Sequence, residues 1–260
     1  MLLIAILAVG VPAAAVGFDH AAWGRVLNRH VNQLGETDYA ALKKDRADLD
    51  AYLSQLASVS PDSHKAPFPT RQDELAYWLN AYNALVTQGV VDAWPTRSVR
   101  DVGFALAFFR RPGYTLGGRK LSLHDLENGI IRERYRDPRI HFAIVCASVG
   151  CPRLDRTAFG GSALDQHLDR LARQFLSERR NLLIRGNDVT LSSIFQWYAA
   201  DFGDLRAFLL RYATGSVRTD LEPLTHPRFH YFDYDWSVNE PGSRARSKSE
   251  YERELARSLR

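Results

Sequence analysis

The spacing of apolar side chains predicts most of the elements. From about Phe18 to Gln33, Trp23, Val26, Leu27, His30 and Val31 fall near helical spacing. From Tyr39 to Leu56, Leu42, Leu49, Leu53 and Leu56 share one face and charges fill the other, which predicts a second helix. Ser60 to Pro69 holds three prolines and reads as a loop. A third helix starts after Thr70, with Asp73 in the capping-box position and Glu74 in the first turn, and ends before Pro95. Phe104 to Lys120 reads as irregular or hairpin-like, with turns at Pro112-Gly113 and Gly117-Gly118. Ser122, with Asp125 three residues on, opens a further helix to about Tyr135, and Asp137-Pro138 ends it.

Ile140 to Cys146 is apolar or aromatic apart from His141, and reads as a buried strand at the centre of the sheet. Next come a helix from about Ser162 to Ser177 and a hairpin turning at Gly186-Asn187. Two short helices are expected near Ser193–Ala200 and Asp204–Ala213. Arg228 to Trp236 alternates as a late strand. Many helices with few, scattered strands predict an α+β fold: a helix-rich single domain around a small, mostly antiparallel sheet.

The first seventeen residues depart from this pattern. Leu2 to Val11 is an apolar run of about ten residues, where a bilayer span needs roughly twenty. Ala13-x-Ala15 or Ala15-x-Gly17 then supplies small residues for a signal peptidase, although no basic residue precedes the run. Pro12 argues against a buried helix there. The expectation is a signal peptide over 1–17, a domain over 18–238 and a charged, solvated tail over 239–260, in a periplasmic or secreted protein. Composition adds little: 260 residues, 45% hydrophobic, 25% charged and net +4 describe an ordinary globular chain. Much of that charge lies in the last twenty residues, and no clustered basic face for nucleic acid is visible elsewhere.

Four motifs carry a family resemblance. Ala76 to Leu85 reads AYWLNAYNAL, Leu121 to Arg132 LSLHDLENGIIR, Asp137 to Leu154 DPRIHFAIVCASVGCPRL, and Leu191 to Gly203 LSSIFQWYAADFG. In this order, with TDYAAL upstream at Thr37 to Leu42, the chain resembles domain-of-unknown-function family 547 from about Trp23 to Trp236. The resemblance implies one domain and is compatible with export, but it implies no reaction. Many members of that family have histidine where this chain has Asn128, so a mechanism needing an imidazole there does not carry over.

The candidate chemistry centres on the segment from His141 to Pro152. Cys146 and Cys151 are the only cysteines, and a pair in an exported chain is first a disulfide candidate. Gly150 is read as allowing a sharp turn before Pro152. The sharper reading makes Cys146 a nucleophile, which needs a base or cation beside it. His141 fails as that base in a regular strand, where five residues span about 16 Å and face opposite ways. Glu127 is the expected partner of His141, as an acid/base or orienting pair. A redox-active disulfide ranks lower, because the spacing is not Cys-x-x-Cys. Asn80 and Asn83, poor helix-interior residues, read as substrate anchors or as ties for a neighbouring backbone. Trp197, Tyr198 and Asp201 read as a cleft wall or as core. No metal-binding, calcium-loop, Gly-x-Ser-x-Gly or phosphate-loop pattern occurs, so no metal or cofactor is expected.

Two functions follow. One is a periplasmic cysteine-dependent hydrolase or transferase with Cys146, Glu127 and His141 catalytic. The other is a non-catalytic exported binding or scaffold domain stiffened by a Cys146–Cys151 disulfide. The expected partner is a small molecule or peptide, with no nucleic acid and no transmembrane span.

Overall fold

The computed structural model describes residues 17–103, 107–111 and 113–247. The expected signal peptide up to residue 16 and the tail from residue 248 lie outside them. The N-terminal pattern becomes helices α1 (Ala21–His30), α2 (Tyr39–Lys44) and α3 (Ala47–Ser58). The single helix expected from Tyr39 to Leu56 is thus two. Asp45 leaves helical geometry and closes α2 through its N–H to Ala41 O. The break lets Leu42 on α2 and Leu49 on α3 both bury completely.

Helix α4 (Arg71–Ala93) begins at the expected capping box, with the Thr70 and Asp73 side chains each accepting from the other's backbone N–H. Residues 75–87 are buried on every side of it, which marks it as the core helix rather than a surface one. The short α5 (Ala107–Arg110) and the hairpin β1 (Tyr114–Leu116) and β2 (Arg119–Leu121) follow, turning at Gly117-Gly118 as expected.

Ser122 caps the next helix through Asp125 N–H, and Asp125 accepts from Ser122 N–H in return. After Leu123 and His124, the eight residues Asp125–Arg132 of that helix are π-helical, and α6 (Glu133–Tyr135) completes it. Asn128 and Gly129 are weak α-helix formers, which lowers the cost of the wider turn.

The largest correction concerns Ile140 to Cys146. This segment is no strand: Pro138–Phe142 is a 3-10 helix, started by the Asp137 side chain accepting from Arg139 N–H, and the chain then continues irregularly to Cys146. A buried irregular backbone must find partners for its polar groups. Here α4 supplies them. Asn83 donates to Ala143 O and accepts from Val145 N–H, both at 2.9 Å. Asn80, one turn earlier, does the same for the O and N–H of Phe159, also at 2.9 Å. Two side-chain amides replace the neighbouring strands that the sequence pattern predicts.

The remaining elements are α7 (Leu164–Ser177), β3 (Leu182–Arg185), β4 (Asp188–Leu191), α8 (Ser193–Trp197), α9 (Ala199–Phe202), α10 (Leu205–Tyr212), α11 (Gly215–Leu221) and β5 (Arg228–Tyr231). Strands β3 and β4 form the expected antiparallel hairpin, and β5 returns parallel to β4. The fold is a helix-rich α+β, and its small sheets lie away from the cysteines. The late strand stops at Tyr231, and the irregular stretch after it carries Tyr234 and Trp236 to the cysteine loop.

Residues 239–247 are not the solvated tail expected from their charge. Asn239 is fully buried and accepts from Tyr39 OH at 2.7 Å; Glu36 accepts from the N–H groups of Gly242 and Arg244. The buried apolar side chains form one connected cluster from Ala22 to Val238.

Candidate functional site

The 3-10 turn and the loop after it carry His141, Cys146 and Cys151 into one cavity of about 230 Å³. The π-helix contributes Glu127 and Asn128 to its wall, α4 contributes Tyr82, and α8 with the residue after it contributes Trp197 and Tyr198. Tyr234 and Trp236 close the aromatic side.

Loop 146–151 is folded tightly on itself. Ala147 adopts left-handed geometry (φ 65°), which a non-glycine residue takes only when its surroundings hold it there. The surroundings are the 235–239 segment: Val149 N–H donates to Ser237 O, Gly150 N–H to Asp235 O, and Asn239 N–H to Ala147 O. Gly150 is needed for close approach rather than for a sharp turn, because a Cβ there would meet the Tyr234 ring at 2.9 Å. From behind, Arg180 and Arg244 both donate to the carbonyls of Val149 and Cys151, and Arg244 also reaches Pro152 O.

The folded loop turns the Cys146 backbone N–H onto Cys151 Sγ at 2.9 Å. Tyr234 OH lies 3.1 Å and Ser148 OH 3.4 Å from the same sulphur. These two hydroxyls also stand 3.3 and 3.0 Å from Cys146 Sγ. Only Cys151 therefore has a backbone donor that cannot turn elsewhere. Burial alone raises a thiol's pKa, but at Cys151 the hydrogen bonds from the Cys146 side chain, Ser148 and Tyr234 outweigh it and bring the thiol below its ordinary value. Burial, with the neighbouring Cys151, pushes the Cys146 thiol up. Both cysteines are free.

Glu127 and His141 are not a direct pair. Glu127 accepts from Tyr198 OH at 2.6 Å and Tyr82 OH at 3.0 Å. Burial, reinforced by the Glu127 charge, holds both phenols far above their usual range, so they stay protonated donors. His141 Nε2 is 2.7 Å from Asp201 Oδ2. Asp201 also takes a bidentate bond from Arg132 at 2.7 and 3.0 Å, and Arg132 reaches back to Asn128. Burial lowers His141 to about 4, and the Asp201 bond only partly opposes that, so the ring is neutral at neutral pH. Tyr198 joins the two groups: its ring stacks on His141 with centroids 4.0 Å apart, and the Arg132 guanidinium lies 4.7 Å over it.

Of the residues singled out by sequence, Cys146, Cys151, Glu127, His141, Trp197 and Tyr198 line the cavity. Asn80 and Asn83 are buried ties for the backbone and do not line it, so their amides are occupied and cannot anchor a substrate. Asp201 orients His141 from outside the lining. The strand argument that separated His141 from Cys146 lapses with the strand. Even so, His141 is engaged by Asp201, and among the described residues neither sulphur has a histidine or carboxylate within hydrogen-bond reach. Tyr82, Tyr234 and Trp236 are site residues that the sequence reading does not single out. Tyr82 sits one residue before Asn83 in a motif already singled out, but nothing local marks Tyr234. Among the described residues no cluster of His, Cys, Asp or Glu is arranged to hold a metal ion, and no helix is long and apolar enough to cross a membrane.

Residues 68–176 match the family model described as "Protein of unknown function, DUF547", which takes in three of the four motifs but not Leu191 to Gly203. No curated protein and no solved structure matches the chain.

Proposed function

We propose, for a chain whose residues 68–176 match the DUF547 family model, the function that the site itself supports best: cysteine-dependent acyl hydrolysis or transfer. The observation that carries it is the set of donors converging on Cys151 Sγ at the wall of an open cavity. A thiol lowered in this way by converging donors is a nucleophile without an adjacent base. This assigns the attack to Cys151 rather than to Cys146, whose raised thiol stays protonated beside it.

In this reading the Cys151 Sγ lone pair forms a bond to an acyl carbon. The bond to the leaving group breaks, and that group takes a proton from solvent. Water or another acceptor then cleaves the thioester, giving its proton to the Glu127 carboxylate, which two phenols hold in place. His141, Asp201 and Arg132 are positioning residues that fix Tyr198, and through it Glu127. The apolar run at Leu2 to Val11, followed by small residues, supports export of the chain.

An activated phenyl ester such as p-nitrophenyl acetate tests this. The expected result is a burst of one phenolate per chain, absent in Cys151→Ser and retained in Cys146→Ser, with Glu127→Gln slowing the phase after the burst. No burst from protein with reduced thiols contradicts it.

The second reading is a non-catalytic exported binding domain stiffened by a Cys146–Cys151 disulfide. It draws on the absence of a histidine or carboxylate partner for either sulphur among the described residues. It predicts no burst, and no titratable thiol in protein isolated without reductant.

A further inference from the structure

The cavity that holds the thiols also has a charge pattern that selects a ligand. Its wall is aromatic: Trp197, Tyr234 and Trp236 pack with ring centroids 4.6 to 5.7 Å apart, and Tyr82, Tyr198 and Phe109 extend the surface. Trp197 is 47% exposed and is continuous with Tyr234 and Trp236. Contiguous apolar patches, unlike single exposed rings, mark places where something binds.

Glu127 is the one carboxylate on that lining. Its oxygens accept from two neutral phenols, and among the described residues no lysine or arginine forms an ion pair with it. The nearby guanidinium of Arg132 is already committed to Asp201 and Asn128. The basic side chains on the lining, Arg110 and His124, are both exposed to solvent. The half-buried part of the pocket therefore presents a carboxylate with no ion-paired cation among π faces. Each of those two features attracts a cation: the carboxylate by charge, the rings by their quadrupoles.

We propose that the pocket recognises an organic cation, an alkylammonium group seated against Trp197, Tyr234 and Trp236 with its charge facing Glu127. The proposal rests on the reading above only in using the same pocket, and it names the class of substrate or acceptor that the pocket takes. A carboxylate or phosphate group is disfavoured there, since it would meet Glu127 and the Cys151 sulphur. A neutral apolar group would gain ring contact but leave Glu127 without a counter-charge.

Three probes of nearly one shape test this by calorimetry and by quenching of tryptophan fluorescence: choline, its neutral isostere 3,3-dimethylbutan-1-ol, and 3,3-dimethylbutanoate. Choline is expected to bind at least about tenfold more tightly than the alcohol, and the carboxylate not to bind. In Glu127→Gln, with an unchanged melting profile, choline should fall to the affinity of the alcohol while the alcohol keeps its own. Equal affinities for choline and the alcohol, tighter binding of the carboxylate, no saturable binding of choline, or an unchanged choline affinity in Glu127→Gln each overturn the proposal. The ester burst, recorded on the same wild-type sample without choline, reads the thiol chemistry separately. A burst without choline binding removes the ligand class and leaves the cysteine reading. Choline binding without a burst does the reverse.

Discussion

Burial acts on the two kinds of titratable group in this pocket in opposite ways, and hydrogen bonding decides the outcome. At Cys151 the donors win, and the thiol falls below its ordinary value. At His141 burial wins, and the ring is held neutral down to about pH 4; His20, buried against Tyr52, is lowered to about 4 in the same way. Both rings bind a proton more readily in the unfolded chain, so the stability they contribute is complete above pH 6.5 and is lost as the pH drops toward 4. A shift from 6.5 to about 4 is worth up to about 3 kcal/mol for each ring. Urea unfolding at pH 7 and pH 4.5 should show that decline. His141→Gln, which keeps a donor for Asp201, should remove part of it, because His20 and His30, both lowered by burial, supply more. An unchanged slope in the variant contradicts a neutral, buried His141.

At the scale of elements, α4 holds the site together through its polar side chains as much as its apolar ones. Asn83→Ala leaves Ala143 O and Val145 N–H buried without partners. At roughly 1–3 kcal/mol for each group, the variant should lose about 2–6 kcal/mol in chemical denaturation. A loss below 1 kcal/mol would mean that the irregular segment finds other partners. This is also where sequence reading failed. An apolar run between a proline and a turn has the pattern of a buried strand, and the pattern holds no sign of what satisfies its backbone. The alternative reading of Asn80 and Asn83, as ties for a neighbouring backbone, was on the page, but the segment they tie was not identifiable. Local signals did better. The Thr70–Asp73 box, the Ser122–Asp125 cap, the Gly117-Gly118 turn and the Gly186-Asn187 hairpin all appear where the residues place them. The π-helix left only the weak mark of Asn128-Gly129.

Across the whole molecule, the site is assembled by contacts that no local pattern reveals. The two ends of the domain meet behind the cysteine loop: Glu36 and Thr37 bind the backbone of residues 239–244, and Arg244 holds the loop carbonyls. A basic tail is usually solvated, so the charge of Arg244 pointed the wrong way. It is only 7% exposed, and burial brings its guanidinium down to about 10. Arg244→Met should cost about 1–3 kcal/mol, because Pro152 O loses its donor while Arg180 keeps those of Val149 and Cys151. A variant as stable as wild type would put the loop's support elsewhere. Tyr234 and Trp236 reach the pocket through the same long-range pairing, which is why the family motifs alone did not find them.

The central claim is that this assembly makes Cys151 a thiolate, and the pH dependence of its alkylation tests that most directly. Reduced protein is treated with iodoacetamide over a pH series, and the modified cysteine is identified by peptide mass spectrometry. The account predicts modification at Cys151, with a rate that rises through a midpoint below the ordinary thiol value. Modification that falls on Cys146, or that rises only near the ordinary thiol value of about 8.5, would contradict it.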